Sequence, residues 1–216
     1  MKCFVMAIDG VAASGKGTLS KKLAAHYGFD YLDTGVIYRK VAFYALKDAI
    51  DINDPASVVA CIDRHDISAN INEPLHTEQI SSTASVIGAH KEVRNALNQA
   101  QRDFAQGKKG VVMDGRDIGT IIFPDADLKL FIIADVEVRA ERRFKQLQKE
   151  GKQVIFDEVL KNLRERDERD THRKVAPTVA ADDAIVIDTS NLNADAVLEL
   201  AISLSHKTIM DSLKAA

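Results

Sequence analysis

The sequence predicts an α/β fold in which a parallel sheet of five strands carries helices on both faces. Short apolar runs alternate with longer amphipathic stretches, the pattern of strands joined by crossover helices. The chain has 216 residues, 46% of them hydrophobic, enough to bury one core of single-domain size. The first strand is read at Phe4 to Ile8, followed by a glycine-rich loop and a helix running through Tyr27, with Leu19, Leu23 and Ala24 on its apolar side. Phe29 to Leu32 supplies a strand ahead of a helix that begins near Thr34. Val111 to Met113, Leu128 to Ile133 and Ile185 to Ile187 complete the sheet, the last two each leading into a helical pattern. Between Asp51 and Pro74 the pattern changes: Pro55 opens a short helical stretch, and Asp66 to Asn72 alternates as a small antiparallel strand would. This segment reads as an insertion into a single domain spanning 1–216.

Composition narrows the function. Lys and Arg (29) nearly balance Asp and Glu (32), and the net charge of -3 gives no reason to expect nucleic acid or an anionic membrane as partner. Functional positive charge must therefore be local. Only Cys3 and Cys61 occur, without a CxxC pair, which suits a reducing compartment and reads as two packed thiols. The apolar run from Cys3 stops at Asp9, shorter than a signal-peptide core, and there is no apolar stretch of membrane length, so a cytoplasmic protein is expected. The six histidines show no metal-ligand spacing in the sequence.

Gly10-Val11-Ala12-Ala13-Ser14-Gly15-Lys16-Gly17-Thr18 follows the first strand and opens a helix, the context that identifies a phosphate-binding P-loop. Its backbone N–H groups curl inward, the helix N-terminus adds positive potential, and Lys16 reaches the β- and γ-phosphates of a bound nucleotide. A plain glycine turn would explain the glycines but not the lysine and hydroxyl in register. Gly17 follows the lysine, so the hydroxyl that usually ligates Mg²⁺ is displaced to Thr18, leaving the ion to phosphates and water. Asp114, at the end of the strand Val111 to Met113, is a candidate to hold Mg²⁺ through water, and Arg116 and Asp117 extend from the same strand end into the cleft.

Seven of the twelve arginines fall between Arg139 and Arg173, flanking a polar stretch around Gly151. Arg139, Arg142 and Arg143 share a helical face at i, i+3, i+4, and Arg166, Arg169 and Arg173 another at i, i+3, i+7. Taken alone they read as solvated, salt-bridged faces, with Arg166 and Asp170 an i, i+4 pair.

Four motifs carry a family resemblance. The GKGT ending of the P-loop is similar to that of nucleoside monophosphate kinases. Tyr31-Leu32-Asp33-Thr34-Gly35-Val36-Ile37-Tyr38-Arg39, Asp114-Gly115-Arg116-Asp117-Ile118-Gly119-Thr120 and the segment from Glu165 through Asp170 to Arg173 and Ala176-Pro177 resemble, in order, motifs of bacterial-type cytidylate kinases. Val11 and Ala13 depart from the Pro and Gly frequent in the family, and Val36 from its usual Ala.

The resemblance implies transfer of the γ-phosphoryl of ATP, with Mg²⁺, to CMP or dCMP, by a monomer. The neighbouring alternatives are a P-loop kinase for UMP or dTMP, and a nucleotide sensor without activity. It implies an acceptor-binding insertion over about 34–107 and a mobile lid over about 143–165. It assigns Arg39 and Arg173 to the acceptor phosphate, Arg166 and Asp170 to the sugar, Ser85 and Arg94 to the cytosine, Thr34 to the acceptor site, and Arg139 and Arg143 to the donor phosphates. Lys16 and Arg116 would stabilise the moving charge. Asp117 is the candidate acceptor for the cytosine amino group, since a carboxylate distinguishes that donor from the carbonyl of uracil.

Overall fold

The computed structural model describes residues 2–215, with side chains through Met210. Five strands, β1 (Phe4–Gly10), β2 (Asp30–Asp33), β3 (Gly110–Asp114), β4 (Leu128–Ile133) and β5 (Ile185–Asp188), form one sheet in the order β2-β3-β1-β4-β5. Every pair is parallel: Ile8 lies opposite Asp114 of β3 and opposite Leu130 of β4. The five expected strands are all present. Gly10, Asp33 and Asp114, at the carboxyl ends of β1, β2 and β3, therefore share one edge of the sheet, where open parallel sheets bind ligands.

Side chains of β1 alternate between two faces, and each face has its own core. Phe4, Met6 and Ile8 pack with Leu19 and Leu23 of α1 (Lys16–Tyr27) and with Val197 and Ala201 of α8 (Ala194–Ala215). Val5 and Ala7 face the other way, onto Ala105, Ile118 and Ile122. Between β2 and β3 the chain makes α2 (Thr34–Lys47), α3 (Pro55–Arg64), α4 (Glu78–Ile87) and α5 (Lys91–Asp103), which close around a separate cluster of Val41, Ala42, Val58, Ile80, Ile87, Val93 and Leu97. Between β4 and β5, α6 (Val136–Lys149) and α7 (Phe156–His172) form a helical hairpin that turns at Gly151 and packs Leu147, Val159 and Leu163 with Ala12 of the P-loop.

The strand expected at Asp66 to Asn72 is absent; the segment is bends and turns. Its carbonyls are satisfied elsewhere, because the Lys40 ammonium collects the carbonyl oxygens of Ile67, Ser68 and Ala69 at 3.0, 3.3 and 2.7 Å. The Asp66 carboxylate accepts from the Ser68 and Ala69 amides in an Asx turn. A cation and an Asx turn have taken the place of a partner strand.

Gly10 ends β1 with φ +144°, a conformation side chains avoid, and a Cβ there would lie 2.1 Å from the Ile132 carbonyl oxygen of β4. Gly10→Ala forces β1 and β4 apart just where the P-loop begins. We expect a loss of about 3 kcal/mol or more, read as a fall in thermal midpoint of roughly 6 °C or more. An unchanged midpoint would mean that the two strands separate there at no cost.

Candidate active site

The P-loop wraps from β1 into α1. Gly15 caps α1 in a left-handed conformation with no side-chain acceptor for the first amides, which leaves the helix N-terminus suited to an anion. Lys16 opens that helix, is buried, and donates to the Val11 carbonyl at 3.2 Å. Ala13, at the position where related loops often carry glycine, holds φ +57°, so it stores strain of about 1 kcal/mol or more.

Beside the loop, Asp114 is buried at the end of β3, and its Oδ2 accepts from the Tyr31 hydroxyl at 2.6 Å. A Cβ at Gly17 would come 3.3 Å from the same oxygen, so the glycine after the lysine makes room for this carboxylate. Thr34 donates its hydroxyl to the Asp114 carbonyl at 2.7 Å. Asp33 caps α2 by accepting from the Val36 amide and pairs with Arg39 at 3.4 Å.

Across the cleft Asp170 is the hub. Its carboxylate accepts from the Ser85 hydroxyl at 2.6 Å and from Arg116 Nε at 3.1 Å, with Arg166 Nε 3.8 Å away. Arg169 reaches Ser85 Oγ at 3.1 Å. Arg94 is ion-paired with Asp117, both buried, and also donates to the Gly88 carbonyl at 3.1 Å. Arg173 donates to that same carbonyl at 3.2 Å and to the Ala176 carbonyl at 2.6 Å.

The P-loop and these groups line one continuous cleft of about 360 Å³, with eight Lys and Arg side chains against five Asp and Glu. A chain of net charge -3 has thus concentrated cations in this one cleft. Burial, and then the Arg116 guanidinium, push the Lys16 ammonium down to about 7. The same two causes bring Arg166 down to about 10. Burial and Arg94 also lower Arg173. Burial and the neighbouring Asp33 raise Asp114, against Lys16 and the Tyr31 hydroxyl. Burial alone would raise Asp170, but Arg116, Arg166 and the Ser85 hydroxyl outweigh it and hold its carboxyl below the usual range. Arg166 Nε and Arg173 Nη2 are buried without a hydrogen-bond acceptor among the described residues. Such donors call for an anion.

Most of the residues singled out from the sequence meet in this cleft. Ala12 to Thr18, Thr34, Arg39, Ser85, Arg94, Asp114, Arg116, Asp117, Arg143, Arg166, Asp170 and Arg173 line it. Gly10 and Val11 serve as the turn behind the loop rather than as lining. The shared face expected for Arg139, Arg142 and Arg143 splits three ways. Arg139 is buried, donates to the Ala12 carbonyl at 3.1 Å and pairs with Asp167 at 2.7 Å, bracing the loop from behind. Arg142 turns away to Thr189 beyond β5, while Arg143 points into the cleft and donates to the His76 carbonyl at 3.0 Å. Ser85 and Arg94, ordinary surface residues by sequence alone, are 5% and 4% exposed.

Sequence reasoning missed Tyr31 and Asp33, both of which lie inside a motif it quoted, and Arg169 as a ligand of Ser85. It also missed Asp9, whose only sequence signal is a carboxylate at the end of an otherwise apolar strand. Asp9 Oδ1 and Oδ2 accept from the amides of Ile118 and Gly119 at 2.9 and 2.8 Å. These bonds clamp the residues after Asp117 into a single π-turn, Ile118–Ile122, against β1. Burial raises the Asp9 carboxyl from 3.8 to about 7, against the pull of the two amides. A carboxyl raised in the folded state contributes stability that is full below pH 3.8 and is lost as pH rises through about 7. Asp9→Asn removes that dependence, so the stability of the wild type relative to the variant should fall between pH 4 and pH 8, by up to roughly 4 kcal/mol. Urea unfolding of both proteins across that range measures it, and parallel curves would mean that Asp9 titrates as an ordinary carboxylate.

Comparison with known proteins agrees with this geometry. The sequence profile of the family described as "Cytidylate kinase" matches residues 6–207. A cytidylate kinase from Rhodospirillum rubrum is 46% identical over 209 residues, covering 94% of this chain and 98% of that protein. One from Afipia carboxidovorans is 49% identical over 202 residues, covering 93% and 96%. Among solved structures, a gluconokinase from Sinorhizobium meliloti superimposes with a TM-score of 0.50 at 13% identity, covering 100% of this chain and 99% of that one, a likeness of fold alone. With its profile matched over nearly the whole length and its motifs gathered in one cleft, the chain belongs to the cytidylate kinase family, whose reaction is the ATP-dependent phosphorylation of CMP to CDP.

Proposed function

We propose that the chain moves the γ-phosphoryl of ATP onto CMP or dCMP, with the donor triphosphate in the loop Gly10 to Thr18 and the acceptor between α2, α4 and α7. The observation that carries this reading is that Lys16 and the arginines around Asp170 face one cleft. Arg39 and Arg173 hold the acceptor phosphate, with Thr34 beside them. Arg166 and Asp170 hold the sugar, while Ser85, Arg94 and Asp117 read the base. Arg143 meets the donor phosphates, and Arg139 serves them from behind the loop through the Ala12 carbonyl.

The donor set fits Mg²⁺. Asp114 is a hard oxygen ligand beside the loop, Gly17 leaves room at it, and the repulsion from Asp33 is one that a cation would relieve. Asp114 would hold the ion through water, and the bound ion would neutralise charge on the β- and γ-phosphates.

No general base is required, because a nucleotide phosphate with second pKa near ~6 is largely dianionic at neutral pH. An acceptor phosphate oxygen forms the new bond to Pγ as the bond from Pγ to the bridging oxygen breaks, and ADP leaves. Lys16 and Arg116 follow the charge as it moves onto the leaving oxygens.

The helical hairpin over about 143–165 acts as the lid on the domain 1–216, and the helices over about 34–107 form the acceptor-binding insertion. Closure would bring the arginines of the hairpin to the phosphates and exclude water, so that ATP is not hydrolysed. The enzyme works as a cytoplasmic monomer on free nucleotides, with no nucleic acid or membrane partner. Among the described residues no helix is long and apolar enough to cross a membrane.

Asp117 bears the specificity. It is paired with Arg94, not with Arg116, whose partner is Asp170. A carboxylate that orients Arg94 and faces the cytosine amino group is worth about 1 to 3 kcal/mol of discrimination, by the measure of base contacts in DNA. Asp117→Asn should therefore lower the CMP to UMP ratio of kcat/KM by roughly tenfold or more, mostly through weaker use of CMP. The assay is ADP release from ATP and Mg²⁺ with CMP, dCMP, UMP, AMP, GMP and dTMP as acceptors. An unchanged ratio would remove Asp117 from base reading, and a wild-type preference for any acceptor other than CMP or dCMP would overturn the assignment of substrate.

A further inference from the structure

Outside the lining of the cleft, α2 and α3 bring together three ligating side chains that phosphoryl transfer does not use. Asp48 stands at the C-cap of α2. Cys61 and His65 lie one turn apart, His65 being the C-cap of α3. The ligand atoms of the three all lie within 4.8 Å of one another, and His65 Nε2 is 2.7 Å from Asp48 Oδ2. The His65 ring is stacked on Tyr44, with centroids 4.0 Å apart and planes 11° apart, which fixes the direction in which Nε2 points. Cys61 is buried, while the side chains of Asp48 and His65 are 24% and 22% exposed and leave a path from solvent.

We propose that Asp48, Cys61 and His65 form a transition-metal site, best suited to Zn²⁺, with water as the fourth ligand. Thiolate, imidazole and carboxylate together are the donor set of a borderline ion and not of Mg²⁺ or Ca²⁺. In a tetrahedral zinc site the donors stand about 3.3 to 3.6 Å apart, as follows from metal–ligand lengths of about 2.0 to 2.3 Å. The present spacing reaches that arrangement if the Asp48–His65 pair opens by roughly half an ångström and Cys61 Sγ moves toward it. On binding, the Cys61 thiol loses its proton to solvent and its sulfur binds the ion. The His65 imidazole presents the Nε2 lone pair, carrying its proton on Nδ1, and Asp48 binds through a carboxylate oxygen. Arg64, whose Nη1 is 3.6 Å from Asp48 Oδ2, is the competing partner; its side chain is 61% exposed and free to swing into solvent. The bound ion would fasten the end of α2 to the end of α3 without touching the groups that face the nucleotides.

Cobalt reports on the site directly. Protein stripped with a chelator is titrated with Co²⁺, and the expected result is one ion per chain with a thiolate-to-cobalt charge-transfer band in the near ultraviolet, lost when Zn²⁺ is added. Cys61→Ser should abolish the band, and His65→Gln should weaken Co²⁺ affinity by more than ~10-fold, since even the loss of an outer-shell partner costs at least about that much. Circular dichroism and CMP phosphorylation of both variants, expected to match the wild type, establish that they are folded. The His65 variant keeps the test decisive if Cys61→Ser fails to fold. Absence of the band in the wild type, or its persistence in Cys61→Ser, would overturn the proposal, as would unchanged Co²⁺ affinity in His65→Gln.

Discussion

Two polyanions must meet in one cleft, and the cations that bring them together repel one another before either arrives. That constraint shapes the rest of the molecule. Lys16, Arg116 and Arg166 lie close enough for Arg116 to push down the ionisation of both the others. Burial costs each cation hydration, and repulsion costs more. The protein offsets this with carboxylates placed sparingly: Asp170 between Arg116 and Arg166, Asp117 against Arg94, and Asp33 against Arg39. Each of these pairs orients an arginine. Together they do not cancel the positive charge, since eight cations face five acids. The remaining imbalance favours anions, and Arg166 Nε and Arg173 Nη2 still lack acceptors among the described residues.

The sheet makes this tolerable by supplying a rigid edge. Asp9 and Gly10 sit side by side at the end of β1. One clamps the π-turn that follows Asp117, and the other lets the backbone pass against β4 into the phosphate loop. The P-loop and the turn after Asp117 thus hang from adjacent residues of one strand. Arg139 adds a brace from the far side, through Ala12 and Asp167, so the helical hairpin is coupled to the loop by a buried arginine as well as by apolar packing. A shift of the hairpin is therefore mechanically linked to the phosphate loop.

Much of this was legible in the sequence. Strands buried on both faces read as short apolar runs, and the P-loop and Asp114 to Asp117 could be placed at strand ends by local pattern alone. The helices α4 and α5 do not show in the apolar pattern, because their buried faces carry Ser81, Thr83, Ser85, Arg94 and Gln101; two of these, Ser85 and Arg94, meet carboxylates far along the chain, at Asp170 and Asp117. Asp66 to Asn72 misled for the converse reason, since its alternation meets no neighbouring strand and its polar groups are satisfied by Lys40 and by Asp66 itself. Helical spacing put Arg139, Arg142 and Arg143 in one arc, but long side chains reach different neighbours from one arc, and only tertiary structure decides which. Asp9 was invisible because its partners are main-chain amides more than a hundred residues away.

If the cleft is a cationic site under strain until phosphate arrives, Lys16 takes up a proton when ATP binds. Calorimetry of ATP binding at pH 8, repeated in buffers of different ionisation enthalpy, measures that uptake. With Lys16 held down to about 7 in the free enzyme and returned toward its ordinary value by the β- and γ-phosphates, the uptake should approach one proton per ATP. It should vanish in Lys16→Ala. No proton uptake by the wild type, or the same uptake in Lys16→Ala, would contradict the account.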